Sequence, residues 1–167
     1  MHATIRFVTK SDAPRFIEAV RASRLLHRPW VKPPADADAF SAYLEKMNQI
    51  TDFGFIIEEA SADELVGVVN LTNVVRGPLQ SGYLGYYAFA GMTGKGLMQD
   101  GLKQVVRHAF RQLGLHRVEA NIRPSNTASI ALVRACGFSK EGYSAKYLKI
   151  GGRWRDHERW ALVKAPR

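Results

Sequence analysis

Residues 91–98 read Gly-Met-Thr-Gly-Lys-Gly-Leu-Met, and they join a tyrosine-rich segment to a long amphipathic one. Glycines let backbone N–H groups approach an anion closely, and the start of a helix carries a partial positive charge. We therefore predict a strand-to-helix turn that can bind a pyrophosphate; a plain turn without a ligand is the alternative. The stretch is neither a P-loop, which ends in Gly-Lys-Ser/Thr, nor the Gly-x-Gly-x-x-Gly of dinucleotide-binding proteins.

The segments around this turn predict an α+β fold. Apolar residues at helical spacing follow the turn, and they predict a long helix that ends at Gly114. Three more helices are expected near residue 14, over about 36–49, and from 126 to about 136. Strands are expected over residues 4–8, 54–59, 65–75, 81–89, 117–122, 140–150 and 153–164. Together they predict one domain over residues 1–167, with a mixed, mostly antiparallel seven-stranded sheet flanked by about four helices.

The composition favours a soluble globular protein with anionic partners. The chain has 167 residues, 46% of them hydrophobic, and a formal net charge of +9. This charge favours a phosphate-rich cofactor or ribosomal RNA, although a solvated basic surface explains it equally well. The single cysteine excludes an internal disulfide framework, and the five histidines lack metal-ligand spacing, so no metal is expected. Neither a bilayer-crossing segment nor a signal peptide is visible, so we expect a cytoplasmic protein.

A second polar cluster lies where a predicted strand gives way to a helix, at residues 121–129, Asn-Ile-Arg-Pro-Ser-Asn-Thr-Ala-Ser. Asn126 is a natural helix N-cap. Ser129 follows one turn later on the same side, so both side chains could face one ligand near the sheet. Capping alone for Asn126, and an ordinary helix-start position for Ser129, are the alternatives.

These segments, taken in order, resemble the GNAT superfamily of N-acetyltransferases, and within it the ribosomal-protein-alanine N-acetyltransferases of the RimJ/RimL type. The resemblance covers most of the chain, and Pro-Trp at residues 29–30 adds to it. It implies a GNAT-like fold and the transfer of an acetyl group from acetyl-CoA to a primary amine. The matching residues are 67–68, 73–77, 83–86, 94–98, 116–117, 126, 129, 137–138, 141–143, 147–148 and 154–157.

The resemblance also implies which residues bind acetyl-CoA. The family's pyrophosphate loop, Gln/Arg-x-x-Gly-x-Gly/Ala, matches a turn in which Gly91 replaces the usual Gln or Arg. A preceding strand would pair with the pantetheine arm, Asn126 would contact that arm, and Arg134 would approach the phosphates. The strand residues are Tyr87, Ala88 and Phe89, and the turn residues are Met92, Thr93, Gly94, Lys95, Gly96, Leu97 and Met98.

The catalytic groups of the family are only partly present. Many members use a tyrosine one place after a helix leucine to protonate the thiolate, but Val133 follows Leu132 here. Ser129 matches a serine of the RimL-like relatives, so we expect it to donate a hydrogen bond to the thiolate. The glutamates that relatives carry near residues 83–84 and 146–147 are absent. The remaining candidates for the base are Glu119, Asp156, His157 and Glu158, with structural contacts as the alternative for Asp156 and His157.

The acceptor follows from amine chemistry. At pH 7 roughly one α-amine in seven is neutral, against a few lysine amines in ten thousand, so a site without a strong base suits a protein N-terminus. The resemblance implies the N-terminal alanine of a ribosomal protein, and it is compatible with a homodimer. Two alternatives stay open: a small amine such as an antibiotic, polyamine or amino acid, and a non-catalytic CoA-binding module that docks on RNA.

Overall fold

The computed structural model describes residues 1–166, which form a seven-stranded sheet with helices on both faces. The helices are α1 (Ala13–Ala22), α2 (Arg24–His27), α3 (Ala37–Lys46), α4 (Leu97–Arg111) and α5 (Thr127–Ala135). The strands are β1 (Ala3–Phe7), β2 (Phe53–Glu59), β3 (Glu64–Val75), β4 (Ser81–Ala88), β5 (Arg117–Ile122), β6 (Ser139–Ile150) and β7 (Arg153–Val163).

The sheet order is β1-β2-β3-β4-β5-β7-β6, and every neighbouring pair is antiparallel except β4 and β5. This confirms the predicted α+β fold with a mixed, mostly antiparallel sheet. The parallel pair needs a crossover, and α4 supplies it.

One segment differs from the sequence prediction. The sequence predicts a loop from His27 onwards, but His27 is the last residue of the short helix α2. Its N–H donates to the Ser23 carbonyl oxygen at 3.0 Å. The prolines that follow restrict the chain only from Arg28 onwards, so they do not prevent this turn. Four residues are too few to show a helical hydrophobic period in the sequence.

Two hydrophobic cores lie on opposite faces of the sheet. Under α4 and α5, the buried residues Leu97, Leu102 and Val105 pack against β2 and β3. At Gly101 a side chain would overlap Ile57 of β2, so α4 lies directly against the sheet. Under α1 and α3, a second cluster contains Phe16 of α1 together with apolar residues of the sheet. No helix of residues 1–166 is long and apolar enough to span a membrane.

Strands β4 and β5 separate soon after they begin to pair. Their parallel ladder covers only Ser81–Tyr83 on β4 and Arg117–Glu119 on β5. Beyond these residues β4 stays paired with β3 as far as Ala88, while β5 stays paired with β7 as far as Ile122. The sheet therefore has a gap in its centre, between two strands that are each held on their outer side.

The position of α4 depends on its buried face, which gives a stability prediction. Leu102→Ala should lower the free energy of unfolding by about 2–5 kcal/mol, because it leaves a cavity under a fully buried side chain. Leu25→Ala is the matched control: Leu25 is 87% exposed, so its loss should change stability by less than about 0.5 kcal/mol. Urea unfolding of both variants measures the difference, and equal effects would contradict this packing.

Candidate active site

A cavity of about 680 Å³ occupies the gap between β4 and β5. Its walls come from the segment after α2, from β4, from the turn before α4, from β5, from α5 and from the β6–β7 hairpin. They include Leu26, His27, Trp30, Val31, Leu84, Gly85, Tyr86, Tyr87, Ala88, Met92, Thr93, Gly94, Gly96, Met98, Ala120, Asn121, Ile122, Arg123, Asn126, Ser129, Leu132, Leu148, Ile150 and His157.

The glycine-rich turn presents free backbone donors at the edge of this cavity. Gly91, Gly94 and Gly96 have φ values of 82°, 75° and 77°, and no atom lies within 4 Å of where a Cβ would stand. Within residues 1–166, the N–H groups of Gly94, Gly96, Leu97 and Met98 donate to no acceptor. Because α4 begins at Leu97, these donors lie at the positive end of the helix dipole, which suits an anion.

The predicted residues of the turn divide into two groups. Met92, Thr93 and Met98 line the cavity beside the glycines, and Lys95 is exposed next to them. The side chain of Leu97, by contrast, is buried in the core, so only its N–H is directed outwards.

Phe89 differs from the other predicted strand residues. Its side chain is buried under α1, and its N–H donates to the Val66 carbonyl oxygen at 2.9 Å. Its own carbonyl oxygen accepts from the Met92 N–H at 3.2 Å. Phe89 therefore supports the turn and has no free polar group to offer a ligand.

Tyr87 and Ala88 lie at the cavity, at the end of β4. The Ala88 carbonyl oxygen lies 2.8 Å from Nε2 of His27, and since a carbonyl can only accept, Nε2 carries the hydrogen. The Tyr87 side chain packs on the α1–α3 face, where burial raises the pKa of its hydroxyl. Beyond Tyr83 the β5-facing edge of β4 has no strand partner among the described residues.

Asn126 and Ser129 meet at the start of α5. The Asn126 Oδ1 accepts from the Ser129 N–H at 3.2 Å, so the asparagine caps the helix as its residue type predicts. The Ser129 Oγ lies 2.7 Å from the hydroxyl oxygen of Tyr86 on β4. Burial raises the pKa of Tyr86, so its hydroxyl stays protonated and can donate to the serine.

Sequence reasoning missed Tyr86. The tyrosine-rich pattern marked the strand but did not distinguish which tyrosines face the helices. Tyr86 and Ser129 are 43 residues apart in the chain, and only the fold brings them together. The alternation of side chains along β4 was the one available signal, because it places Tyr86 and Tyr87 on opposite faces.

Arg134 lies away from the cavity lining, near the end of α5. Its guanidinium stacks over the ring of Trp160, 5.2 Å from the ring centroid. A corresponding contact fixes the segment after α2, where the Arg123 guanidinium lies 5.1 Å from the Trp30 ring centroid. This second contact joins the end of β5 to the segment after α2 and thus forms one wall of the cavity.

The three carboxylates considered as bases are all engaged, and none lines the cavity. Each accepts one or two hydrogen bonds from neighbouring side chains or backbone. Glu119 accepts from Arg117 at 2.6 Å, Asp156 from the Tyr143 hydroxyl at 2.5 Å and the Lys146 N–H at 2.8 Å, and Glu158 from Lys140 at 2.9 Å and Trp160 at 3.0 Å.

His157 differs from these carboxylates because it lines the cavity. It is 3% exposed, and its Nδ1 lies 2.9 Å from the Arg155 carbonyl oxygen. Residues 1–166 contain no cluster of three or more potential metal ligands.

Comparison with known proteins agrees with the geometry. A family model described as an acetyltransferase (GNAT) domain matches residues 2–139. The chain is 34% identical over 167 residues to the [ribosomal protein uS5]-alanine N-acetyltransferase of Escherichia coli (strain K12), covering 95% of this chain and 86% of that protein. It is 39% identical over 121 residues to the probable N-acetyltransferase YjcK of Bacillus subtilis (strain 168), covering 72% and 67% respectively.

Solved structures show the same fold. Mycobacterium smegmatis RimJ, in complex with a CoA-disulfide, matches with a TM-score of 0.87 and 29% identity over 96% of this chain and 81% of that one. The ribosomal-protein-S5-alanine acetyltransferase from Vibrio fischeri matches with a TM-score of 0.84 and 27% identity, covering 98% and 93%. The chain therefore belongs to the GNAT family of acetyltransferases and is an N-acetyltransferase.

Proposed function

We propose that this protein transfers an acetyl group from acetyl-CoA to the N-terminal α-amine of a ribosomal protein, with alanine as the acetylated residue. The observation that carries the proposal is the row of unpaired N–H groups at the start of α4, beside a cavity large enough for a ligand. The named activity of the Escherichia coli relative supports the acceptor, and the CoA bound to the Mycobacterium smegmatis relative supports the donor.

The described residues fit acetyl-CoA. The N–H groups of Gly94, Gly96, Leu97 and Met98 would hold the diphosphate, where glycine leaves room for phosphate oxygens. The free edge of β4 at Ala88 would pair with the pantetheine arm, since the Phe89 N–H faces β3 and the N–H groups of Tyr87 and Phe89 point to the same side of the strand. The Asn126 side chain would border that arm.

Two cations are available for the phosphates of acetyl-CoA. Lys95 is exposed beside the turn and can reach them with its flexible side chain. Arg134 would have to reach them from its stacked position over Trp160, which makes its contribution the smaller one. Because Gly91 stands where the family usually has Gln or Arg, backbone N–H groups would provide most of the contacts to the phosphates.

Ser129 and Tyr86 together present a hydrogen-bond donor to the leaving sulfur. When bound, acetyl-CoA supplies an activated acetyl thioester. Ser129 donates its hydroxyl hydrogen towards the sulfur as the C–S bond breaks. The Tyr86 hydroxyl, 2.7 Å away, donates in turn to Ser129 Oγ, which orients the serine hydrogen away from the tyrosine and into the cavity.

We propose that residues 1–167 form one acetyltransferase domain that acts in the cytoplasm, and that it associates as a homodimer. The net charge of +9 supports a weak approach to ribosomal RNA while the acceptor is bound.

The acceptor test compares amines of different class. An alanine-initiated peptide from the uS5 N-terminus should be acetylated, and the same peptide with its α-amine already acetylated should not react even if it contains lysine. The α-amine is the group that is substantially neutral near pH 7. Release of CoA thiol and mass spectrometry measure the reaction, with spermidine and free amino acids as further acceptors. Turnover of the small amines alone would reject the protein acceptor.

The glycine-rich turn gives a binding prediction. Gly96→Val should raise the dissociation constant of acetyl-CoA roughly tenfold to a hundredfold, because a distorted turn loses charge-assisted hydrogen bonds of about 1.5–3 kcal/mol each. Gly77→Val is the matched control: Gly77 has a φ of 70°, close to the 77° of Gly96, and both have open space around a Cβ. Both variants carry the same backbone strain, so calorimetric titration isolates the binding effect. Equal weakening by both would contradict the role of the turn.

The hydrogen bond from Ser129 gives a kinetic prediction. Ser129→Ala should lower kcat roughly tenfold to a hundredfold, since it removes a hydrogen bond to the charged leaving sulfur, while the affinity for acetyl-CoA stays near that of the parent protein. Tyr86→Phe should lower kcat by up to about tenfold, because the serine loses one hydrogen bond. Ser125→Ala, in the exposed turn before α5, is the control and should leave kcat unchanged. If Ser129→Ala kept full turnover, the serine would not be the donor.

A further inference from the structure

We propose that His157 is the general base, which takes the proton from the acceptor nitrogen at its Nε2 atom. This inference rests on the proposed function, because it concerns the same reaction at the same cavity. The side chain is 3% exposed and forms part of the cavity wall, so it is held in place and yet reaches the site. A buried imidazole at a cavity is a frequent general base.

The hydrogen bond to Arg155 fixes the tautomer of His157. A backbone carbonyl oxygen can only accept a hydrogen bond, and Nδ1 lies 2.9 Å from the carbonyl oxygen of Arg155. Nδ1 therefore carries the hydrogen, and Nε2 of the neutral ring carries the lone pair. This is the arrangement in which a positioned histidine can accept a proton from a substrate.

The Nε2 atom of His157 has no hydrogen-bond partner among the described residues, and it is accessible to solvent. No hydrogen bond to Nε2 is present among residues 1–166, where the ring contacts a backbone carbonyl only through Nδ1. The unpaired side-chain polar atoms that are closed to solvent in the described chain are His27 Nδ1, Tyr87 Oη and Arg155 Nε, and Nε2 of His157 is not one of them. We conclude that this lone pair opens onto the cavity.

Ser129 and His157 lie on opposite faces of the sheet. Glu158 bonds to Trp160, which lies in the core under α4 and α5, so the side chains of both are on that face. His157 is the next residue along β7 and points to the other face. Ser129 lies on the α5 side with Tyr86. A nitrogen entering from the His157 side would thus meet the thioester across the β4–β5 gap, opposite Ser129.

The three candidate carboxylates are not placed to act as the general base. Glu119, Asp156 and Glu158 each accept hydrogen bonds at 3.0 Å or less and do not line the cavity. Trp30 lines the same cavity as His157. Of the four candidates for the base, His157 alone combines a free lone pair with a position at the site.

The proton balance closes with His157 and solvent. The acceptor nitrogen forms a bond to the acetyl carbon, and the bond from that carbon to sulfur breaks. The nitrogen gives one proton to Nε2 of His157, and the leaving thiolate, which accepts a hydrogen bond from the Ser129 hydroxyl, takes one proton from solvent. Solvent then takes the proton from the imidazolium, so the products are the acetylated amine and the free thiol.

The test uses a substitution that keeps the structural contact of His157 and removes its base. In His157→Asn the side-chain amide can still donate to the Arg155 carbonyl oxygen, as Nδ1–H does, but it presents no lone pair of comparable basicity at the Nε2 position. We expect kcat with an alanine-initiated peptide to fall by about 100-fold or more, while acetyl-CoA affinity and melting temperature stay near those of the parent. His116→Asn, at an exposed position before β5, should have the parent's kcat.

A second variant provides a readout that packing does not affect. In His157→Ala, added imidazole should restore turnover in a saturable way, and it should not do so for Ser129→Ala. Full turnover in His157→Asn would overturn the proposal, as would a loss of activity together with acetyl-CoA binding and without rescue by imidazole. If the parent protein acetylates no amine, the proposed function itself fails. That result is distinct from an active parent whose activity survives the loss of His157.

Discussion

The short pairing of β4 with β5 is the constraint on which the site depends. Three residues on each strand share hydrogen bonds, and beyond Tyr83 and Glu119 the strands diverge. The outer sides of both strands remain paired, so the gap is held open by the rest of the sheet and does not close by collapse. The turn at Gly94 and Gly96 then places α4 so that its first N–H groups lie at the mouth of the gap.

In the proposed mechanism, the gap also separates hydrogen-bond donation to the sulfur from removal of the proton of the amine. On the α5 side, Ser129 and Tyr86 form a hydrogen-bonded pair suited to donating a hydrogen bond. On the opposite side, His157 lines the same cavity as Trp30. A sheet that is split at its centre lets donor and acceptor approach from different faces without competing for space.

The sequence was sufficient for the elements and for the turn, because both depend on local patterns. The period of α4 and the glycines before it are visible within a few residues. The pairing of Tyr86 with Ser129 was not predictable, because it joins segments 43 residues apart. The engaged state of Asp156 was equally hidden, since its partner Tyr143 lies on the neighbouring strand β6. The resemblance implied that Phe89 contacts the cofactor. In the structure its side chain is buried, and both its backbone N–H and its carbonyl oxygen are already hydrogen-bonded.

The most direct test of the central claim follows the backbone amides themselves. Millisecond hydrogen–deuterium exchange, with and without CoA, reports whether the N–H groups at residues 94–98 acquire acceptors. The account predicts strong protection of these amides and of the Ala88 amide on the free edge of β4, with little change at Gly77. Protection confined to other segments, with residues 94–98 still exchanging freely in the complex, would contradict it.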